Sequence, residues 1–265
     1  MAGSAFEVIS PAATRRPLVA HVPHASAVIP AEVRAELLVT DAQLEVELLR
    51  LTDWHTDSLF AGLRDRGATL FIDRLSRLVF DPERFLDDTA EPMAARGQGV
   101  VYWQGSDLRP LREPSAEVRA KRVRDLYEPY HEALDGLVSA LLAEHGTCTV
   151  VDCHSFPTEP LPSELDRSPG RPDICIGTDP VHTPPQLAEA LEAGFAEAGL
   201  RVRRDAPYAG TFVPTGHYGR EPRVRSVMIE VRRGLYIDEA TAERLPAFDE
   251  MAATISRVVG EVADQ

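Results

Sequence analysis

The sequence is poor in the features that mark several large classes of protein. It holds three cysteines among 265 residues, an odd number with no Cys-x-x-Cys pair. This usage argues against a disulfide framework and predicts reduced thiols in a cytoplasmic protein. No apolar run approaches the roughly 18 residues that a membrane-spanning helix needs. Residues 1–7 lack a basic segment followed by an apolar one, so we expect no signal peptide.

Positive charge is scarce. The chain carries 28 Lys and Arg against 42 Asp and Glu, for a net charge of −14, and its pI is about 5.0. Such a surface repels phosphate backbones, so we expect no nucleic-acid partner. To bind a small anionic substrate, the protein would need a local cluster of arginines that offsets its overall negative charge.

Several catalytic and nucleotide-binding motifs are absent. The chain contains no Gly-x-Ser-x-Gly, no Gly-x-Gly-x-x-Gly and no Walker-type loop, which argues against the usual serine hydrolases and nucleotide-binding folds. It has no internal repeat and no linker-like tract. The length of 265 residues and an apolar content of 44% predict one domain over residues 1–265. The sequence does not determine the oligomeric state.

Short apolar strands alternate with amphipathic helices, and this order predicts an α/β fold with a mixed, mainly parallel sheet. The predicted strands cover residues 18–22, 69–72, 147–155, 174–177, 200–204 and 224–233. The predicted helices cover residues 41–66, 115–145, 186–198 and 238–262.

Two histidines stand at the carboxyl ends of predicted strands. His24 follows residues 18–22, and His154 closes the apolar run 147–155. Ligands of open α/β sheets lie beside this edge, where a histidine can bind a metal or move a proton. The alternative for His154 is a hydrogen bond to a loop carbonyl. His21 lies inside the apolar run and is expected to serve the core or to support a ligand.

Two acids interrupt an apolar row on the predicted helix 41–66. Asp53 and Asp57 are four residues apart, and like charges at that spacing repel each other on a helix. Acids in a buried row suggest a nearby cation. The alternative is that this row borders solvent at the edge of the helix.

A third acid, Glu230, follows the apolar residues 227–229. A lone carboxylate in a buried strand is costly without a partner and is a candidate general base. The alternative is a structural ion pair with Arg232 or Arg233. Two histidines and one carboxylate form a common ligand set for catalytic zinc, and a further Glu can take up a proton beside it.

Three arginines follow the predicted strand 69–72, namely Arg74, Arg77 and Arg84. The planar fork of Arg suits carboxylates, so the cluster is a candidate site for an anionic substrate. The alternative is a set of internal pairs with Asp81.

At this point the chain resembles the N-formylglutamate amidohydrolase family over about residues 17–240. The resemblance is carried, in order along the chain, by Pro23-His24-Ala25-Ser26, Asp53-Trp54-His55-Thr56-Asp57, the segment from Ser76 to Arg84, Tyr130-His131, the segment from Val151 to Ser155, Tyr208-Ala209-Gly210, His217-Tyr218-Gly219 and Ile229-Glu230-Val231-Arg232.

The resemblance implies a single-domain, three-layer phosphorylase/hydrolase-like sandwich related to zinc carboxypeptidases. It implies hydrolysis of the amide bond of an N-acyl amino acid by a site with Zn²⁺ or another divalent metal. By this resemblance, His24 and His154 are metal ligands and Glu230 is the general base. Ala27 stands where a His-x-x-Glu ligand pair would have its Glu, so Asp53 is expected as the third ligand, with Asp57 as the alternative.

The resemblance also assigns substrate contacts to Arg77, Arg84, Tyr208 and His217. The chain departs from the family at Glu83, where the deformylases usually carry Asn, and in the loop around residues 209–211, which is usually richer in Gly. Both departures lie on the expected substrate side. A catalytically inactive member that binds an anionic metabolite or a protein partner is the alternative function.

Overall fold

The computed structural model describes residues 5–262, whose seven strands form one sheet in the order β1-β3-β2-β4-β7-β5-β6. The strands are β1 Phe6–Ile9, β2 Leu18–Val22, β3 Thr69–Asp73, β4 Cys148–Phe156, β5 Ile174–Gly177, β6 Val202–Arg204 and β7 Val224–Arg232. The α-helices are α1 Ala31–Arg34, α2 Asp41–Leu51, α3 Thr56–Leu59, α4 Ala116–Arg122, α5 Glu128–His145, α6 Pro185–Glu197 and α7 Phe248–Val262.

The four central strands β3, β2, β4 and β7 run parallel to one another. β1 is antiparallel to β3, and β5 is antiparallel to β7. The predicted α/β class with a mixed, mainly parallel sheet is therefore confirmed. Because β2, β4 and β7 share one direction, their carboxyl ends meet at one edge, and this edge carries the polar side chains described below.

Apolar side chains cover both faces of the sheet. One core packs alternate strand residues such as Ala20 and Leu70 against α6 and α7. A second core packs the residues between them, such as Val19 and Phe71, against α5. This period-2 division places helices on both faces and gives the three-layer arrangement that was expected.

The prediction of one helix over residues 41–66 is wrong. Helix α2 begins after a capping box at Thr40 and ends at Leu51. The chain then turns through residues 52–55, where His55 adopts a left-handed conformation (φ 64°). The backbone N–H of Asp53 donates to the His24 carbonyl oxygen at 2.9 Å instead of continuing the helix. Asp53 and Asp57 consequently do not lie on one helical face.

Two other elements differ from the prediction, one edge strand and the start of the last helix. Strand β1 was not predicted, since it is a short, half-exposed edge strand with little apolar alternation. The C-terminal helix begins at Phe248 rather than at residue 238. Pro246 cannot donate a hydrogen bond within a helix, and the chain before it forms turns in which Ala242 has a positive φ of 60°.

Within residues 5–262 no helix is long and apolar enough to cross a membrane. The three cysteines are buried and free, as expected. Residues 1–4 and 263–265 lie outside the described residues. The single domain over residues 1–265, the absence of a signal peptide and the cytoplasmic location therefore stay predictions.

Candidate active site

His24 lies directly after β2 and is 1% exposed. Its Nε2 lies 3.0 Å from Asp81 Oδ1, so a buried carboxylate holds this side of the ring. Its Nδ1 has no hydrogen-bond partner among the described residues, although it is buried. This nitrogen is therefore free, within the described residues, to bind a ligand in the site.

His154 lies near the end of β4, with its ring centroid 5.1 Å from that of His24. Its Nδ1 is 3.1 Å from Asp53 Oδ2, and its Nε2 is 3.0 Å from Asp152 Oδ1. Burial alone disfavours a charged ring, but the charges of Glu83 and Asp152 outweigh it and hold the pKa of His154 well above its usual value. The ring is therefore charged when no other cation is bound.

Asp53 faces both histidines. Its Oδ2 lies 3.8 Å from His24 Nδ1 as well as 3.1 Å from His154 Nδ1. Its Oδ1 accepts a hydrogen bond from Arg233 Nη2 at 2.8 Å. Burial would raise the pKa of this carboxyl group, but the histidine hydrogen bonds and the charge of Arg233 hold it well below the usual range. Asp53 is thus an ionised, fixed carboxylate between the two rings.

Glu83 was not predicted as a site residue, yet it reaches both histidines. Its Oε1 lies 3.1 Å from His154 Nε2, and its Oε2 lies 3.7 Å from His24 Nδ1. Ligand atoms of these three residues lie within 4.8 Å of one another, a spacing that can hold a metal ion. The available signal was its position two residues after Asp81, in a segment already identified as functional.

Glu230 lies in β7 directly beside His154 in β4. Its Oε2 is buried and has no hydrogen-bond partner among the described residues. Arg232 pairs with Asp173 and Arg233 pairs with Asp53, so neither arginine forms the structural pair considered as the alternative. Burial raises the pKa of Glu230 to about 8, with the nearby Asp53 charge adding to the shift and His154 opposing it.

The arginines are engaged with acids. Arg77 Nη2 donates to Asp81 Oδ2 at 2.8 Å, and Arg84 Nε lies 3.4 Å from the same oxygen. The side chains of Arg77 and Arg84 keep 14% and 20% exposure, so neither is fully buried. Arg74 instead pairs with Glu7.

The remaining predicted residues lie further from the histidine pair. Asp57 pairs with Arg74 at 3.2 Å and does not join the histidines. The Tyr208 hydroxyl oxygen accepts a hydrogen bond from Arg171 Nη1 at 3.0 Å. Burial raises the pKa of Tyr208, and the nearby charge of Glu230 adds to this shift. His217 Nε2 lies 3.0 Å from Ser139 Oγ, on α5. The structure thus brings together His24, Asp53, His154 and Glu230, and it adds Glu83.

This arrangement suits a divalent cation. Metal-bound histidines usually donate their second N–H to a carboxylate, and both rings have such a partner here. The unpartnered His24 Nδ1 and the adjoining carboxylates supply the nitrogen and oxygen donors that zinc takes. A buried acid with a raised pKa beside them can accept or release a proton near neutral pH.

Comparisons with known proteins point to one family of hydrolases. The model of the family described as N-formylglutamate amidohydrolase matches residues 16–237. A curated N-formylglutamate deformylase of Pseudomonas aeruginosa is 33% identical over 242 residues, covering 88% of this chain and 86% of that protein. The N-formylglutamate deformylase of Pseudomonas putida is 30% identical over 233 residues, covering 85% and 83%.

Solved structures show the same fold. A crystal structure described as N-formylglutamate amidohydrolase, from Ralstonia eutropha, has a TM-score of 0.82 at 24% identity and covers 98% of both chains. A protein from Agrobacterium tumefaciens has a TM-score of 0.72 at 23% identity, covering 99% of this chain and 96% of its own.

The buried acid makes a testable contribution to stability. The folded, metal-free protein keeps Glu230 protonated up to about pH 8, whereas an unfolded Glu ionises near 4.5. Between these values the folded state binds more protons, so the free energy of unfolding falls as pH rises. Glu230→Gln should therefore gain stability over the wild type through this window, by on the order of a few kcal/mol, in denaturant titrations of metal-free protein.

Glu221 provides a control of opposite sign. Its hydrogen bonds from Arg223 lower its pKa to about 2, so its contribution is present above 4.5 and is lost as pH falls through about 2. Glu221→Gln should show a small loss of stability above pH 4.5. A Glu230→Gln variant whose stability stays parallel to the wild type from pH 4 to 9 would contradict the assignment of Glu230.

Proposed function

Because the chain belongs to the N-formylglutamate amidohydrolase family, we propose that it is a zinc-dependent hydrolase that cleaves N-formyl-L-glutamate to formate and glutamate. Two buried histidines beside the buried Glu230 carry this proposal, because His24 Nδ1 and Glu230 Oε2 have no hydrogen-bond partner among residues 5–262. A binding protein has no need of such a base next to a ligand pair.

We infer that His24 and His154 would hold the metal through the nitrogens that face Asp53, and that Asp53 would be the third ligand. Asp53 is favoured because its Oδ2 lies close to the Nδ1 of both rings. Bound there, a divalent ion such as Zn²⁺ would polarise the amide carbonyl as a Lewis acid. The carboxylates of Asp81 and Asp152 orient the rings by accepting their Nε2–H groups.

Glu230 is the proposed general base and acid. Its carboxylate takes a proton from the attacking water and returns it to the leaving amine of glutamate. The pKa of about 8 belongs to the metal-free protein, and a nearby divalent cation favours the ionised form. Glu230 Oε2 has no competing hydrogen bond among the described residues, so beside a bound divalent cation Glu230 would be ionised and able to accept a proton.

Arg77 and Arg84 are the proposed contacts of the substrate carboxylates. Both are held beside the site by Asp81, and their side chains keep 14% and 20% exposure. Bidentate contacts to a carboxylate would orient the amide relative to Glu230. Tyr208 and His217 stay proposed substrate contacts on the strength of the resemblance alone.

The metal assignment is tested by elemental analysis of purified variants. His24→Ala and His154→Ala should each lose zinc, because removal of a ligand or of its support weakens metal binding at least about 10–100-fold. Asp53→Asn should lose zinc as well, whereas Asp57→Asn should keep it, because Asp57 contacts Arg74 and the Ser58 backbone N–H rather than the histidines. Zinc retained by Asp53→Asn and lost by Asp57→Asn would reverse the choice of ligand.

The general base is tested by the turnover of Glu230→Gln. This variant should keep its zinc and its fold but lose about 10²–10⁴-fold in kcat, since it can no longer move a proton. Formate release from N-formyl-L-glutamate measures the rate, and metal content and Tm serve as controls. A kcat near that of the wild type would contradict the general-base role and indicate a structural role for Glu230.

The substrate is tested by comparing N-formyl-L-glutamate with its α-amide and with longer N-acyl glutamates. Arg77→Lys keeps the charge but loses the fork, so it should raise KM or lower kcat on the order of tenfold. Arg74→Lys is the matched control, because Arg74 pairs with Glu7 outside the site. Equal rates for the carboxylate and the amide would rule out the arginine contact, and a preference for a longer acyl group would change the substrate.

A further inference from the structure

The buried polar centre continues inward past the two histidines. His21, which the sequence placed within an apolar strand, directs Nδ1 to within 3.0 Å of Asp152 Oδ1 and 3.6 Å of Glu83 Oε1. The three ligand atoms lie within 4.8 Å of one another. Separations of this size suit neighbouring ligands of one zinc ion, since bonds of about 2.0–2.1 Å in a tetrahedron place ligands about 3.4 Å apart.

The outer atoms of His21 and Asp152 are anchored. His21 Nε2 lies 2.7 Å from the hydroxyl oxygen of Tyr130. Asp152 Oδ2 accepts the backbone N–H of Phe212 at 2.9 Å. These contacts leave His21 Nδ1 and Asp152 Oδ1 directed at the centre, and fixed outer partners of this kind orient metal ligands in proteins.

The charges of this centre are incompletely matched by arginine. Asp53 pairs with Arg233, and Asp81 pairs with Arg77. In the part of the chain that the structure describes, the ion pairs of Glu83 and Asp152 are formed with histidines alone. Asp152 is buried and the side chain of Glu83 is 13% exposed. Two close carboxylates so poorly solvated repel each other, and a cation between them offsets that cost.

Glu83 lies between the two groups of donors. Its Oε2 faces His24 Nδ1 at 3.7 Å, and its Oε1 lies 3.6 Å from His21 Nδ1 and 3.1 Å from His154 Nε2. If His154 binds the first ion through Nδ1, Glu83 would offer Oε2 to the first ion and Oε1 to the second. This is the arrangement of a bridging ligand in two-metal hydrolase sites, where the ions lie about 3.5–4 Å apart.

We propose that the site binds two divalent cations, the second held by His21, Glu83 and Asp152, with Glu83 bridging to the first. This second position rests on the proposed function, because it adjoins the ion assigned to His24, Asp53 and His154. In this arrangement His154 would bind the first ion through Nδ1 alone, and its Nε2–H would donate to Asp152.

The test is the stoichiometry of metal binding, which needs no turnover. Protein stripped with a chelator is titrated with Co²⁺ in a calorimeter, and bound metal is counted by elemental analysis after gel filtration. The wild type should bind two equivalents. His21→Gln should bind one, with the tighter equivalent within about threefold of its wild-type affinity, because His21 does not belong to the first group.

His182→Gln is the matched control. His182 is equally buried, but it bonds to the carbonyl of Val224 and the amide of Gly219, at the opposite end of β7 from Glu230. This variant should still bind two equivalents. Circular dichroism and Tm report whether each variant is folded.

A second measurement on the wild type covers the case in which His21→Gln does not fold. With two equivalents of Mn²⁺, a bridged pair should give the spin-coupled electron paramagnetic resonance signal of two adjacent ions. A single equivalent in the wild type, or isolated Mn²⁺ signals at two equivalents, would overturn the second site. One tight equivalent would leave the proposed function intact, whereas no bound metal at all would overturn both.

Discussion

Asp53 joins three segments of the chain that form the candidate active site. Its backbone N–H bonds the carbonyl of His24, its Oδ2 lies against His154, and its Oδ1 accepts from Arg233. A buried carboxylate that loses such partners costs several kcal/mol, so these contacts stabilise one another. The turn at residues 52–55 and the approach of the two histidines both depend on this side chain.

The histidines are oriented by a layer of carboxylates behind them. Asp81 holds His24 and is itself held by Arg77 and by the hydroxyl of Tyr102 at 2.7 Å. Burial would favour a neutral Asp81, but the charges of Arg84 and Arg77 keep its pKa well below the usual range. The arginines therefore have a structural task whether or not they also contact substrate. The sequence alone left two alternatives for these arginines, ion pairs with Asp81 or binding of a substrate carboxylate. An arginine that pairs with Asp81 and keeps some exposure is compatible with both.

Three acids in the centre, Glu83, Asp152 and Glu230, differ from the rest because no arginine pairs with them among the residues that the structure describes. Glu230 is left without a partner for Oε2, and Glu83 meets only histidines among the residues 5–262 that the structure describes. Unmatched, buried polar groups destabilise a folded protein, so their presence indicates a use. A base that must change its protonation state and a carboxylate that must meet a cation are two such uses, and both suit hydrolysis of an amide.

The fold class and the functional edge of the sheet were determined by the sequence itself. Apolar runs in the sequence predict β2, β4 and β7. His24, His154 and Glu230 can be identified because each ends or interrupts such a run. Strand pattern is a local property, and parallel strands bring their carboxyl ends together, so these positions could be read without coordinates.

Only the tertiary structure decided the end of α2, the partners of the arginines and the place of Glu83. Helix periodicity continues through residues 52–55 in the sequence, and it gives way because Asp53 bonds His24 and Arg233, the latter 180 residues away. Glu83 and His154 are 71 residues apart and meet only when the loop after β3 folds over the sheet edge. Local pattern carries no information about such distant contacts, and the free energy of pairing buried charges is larger than the helix propensity of a few residues.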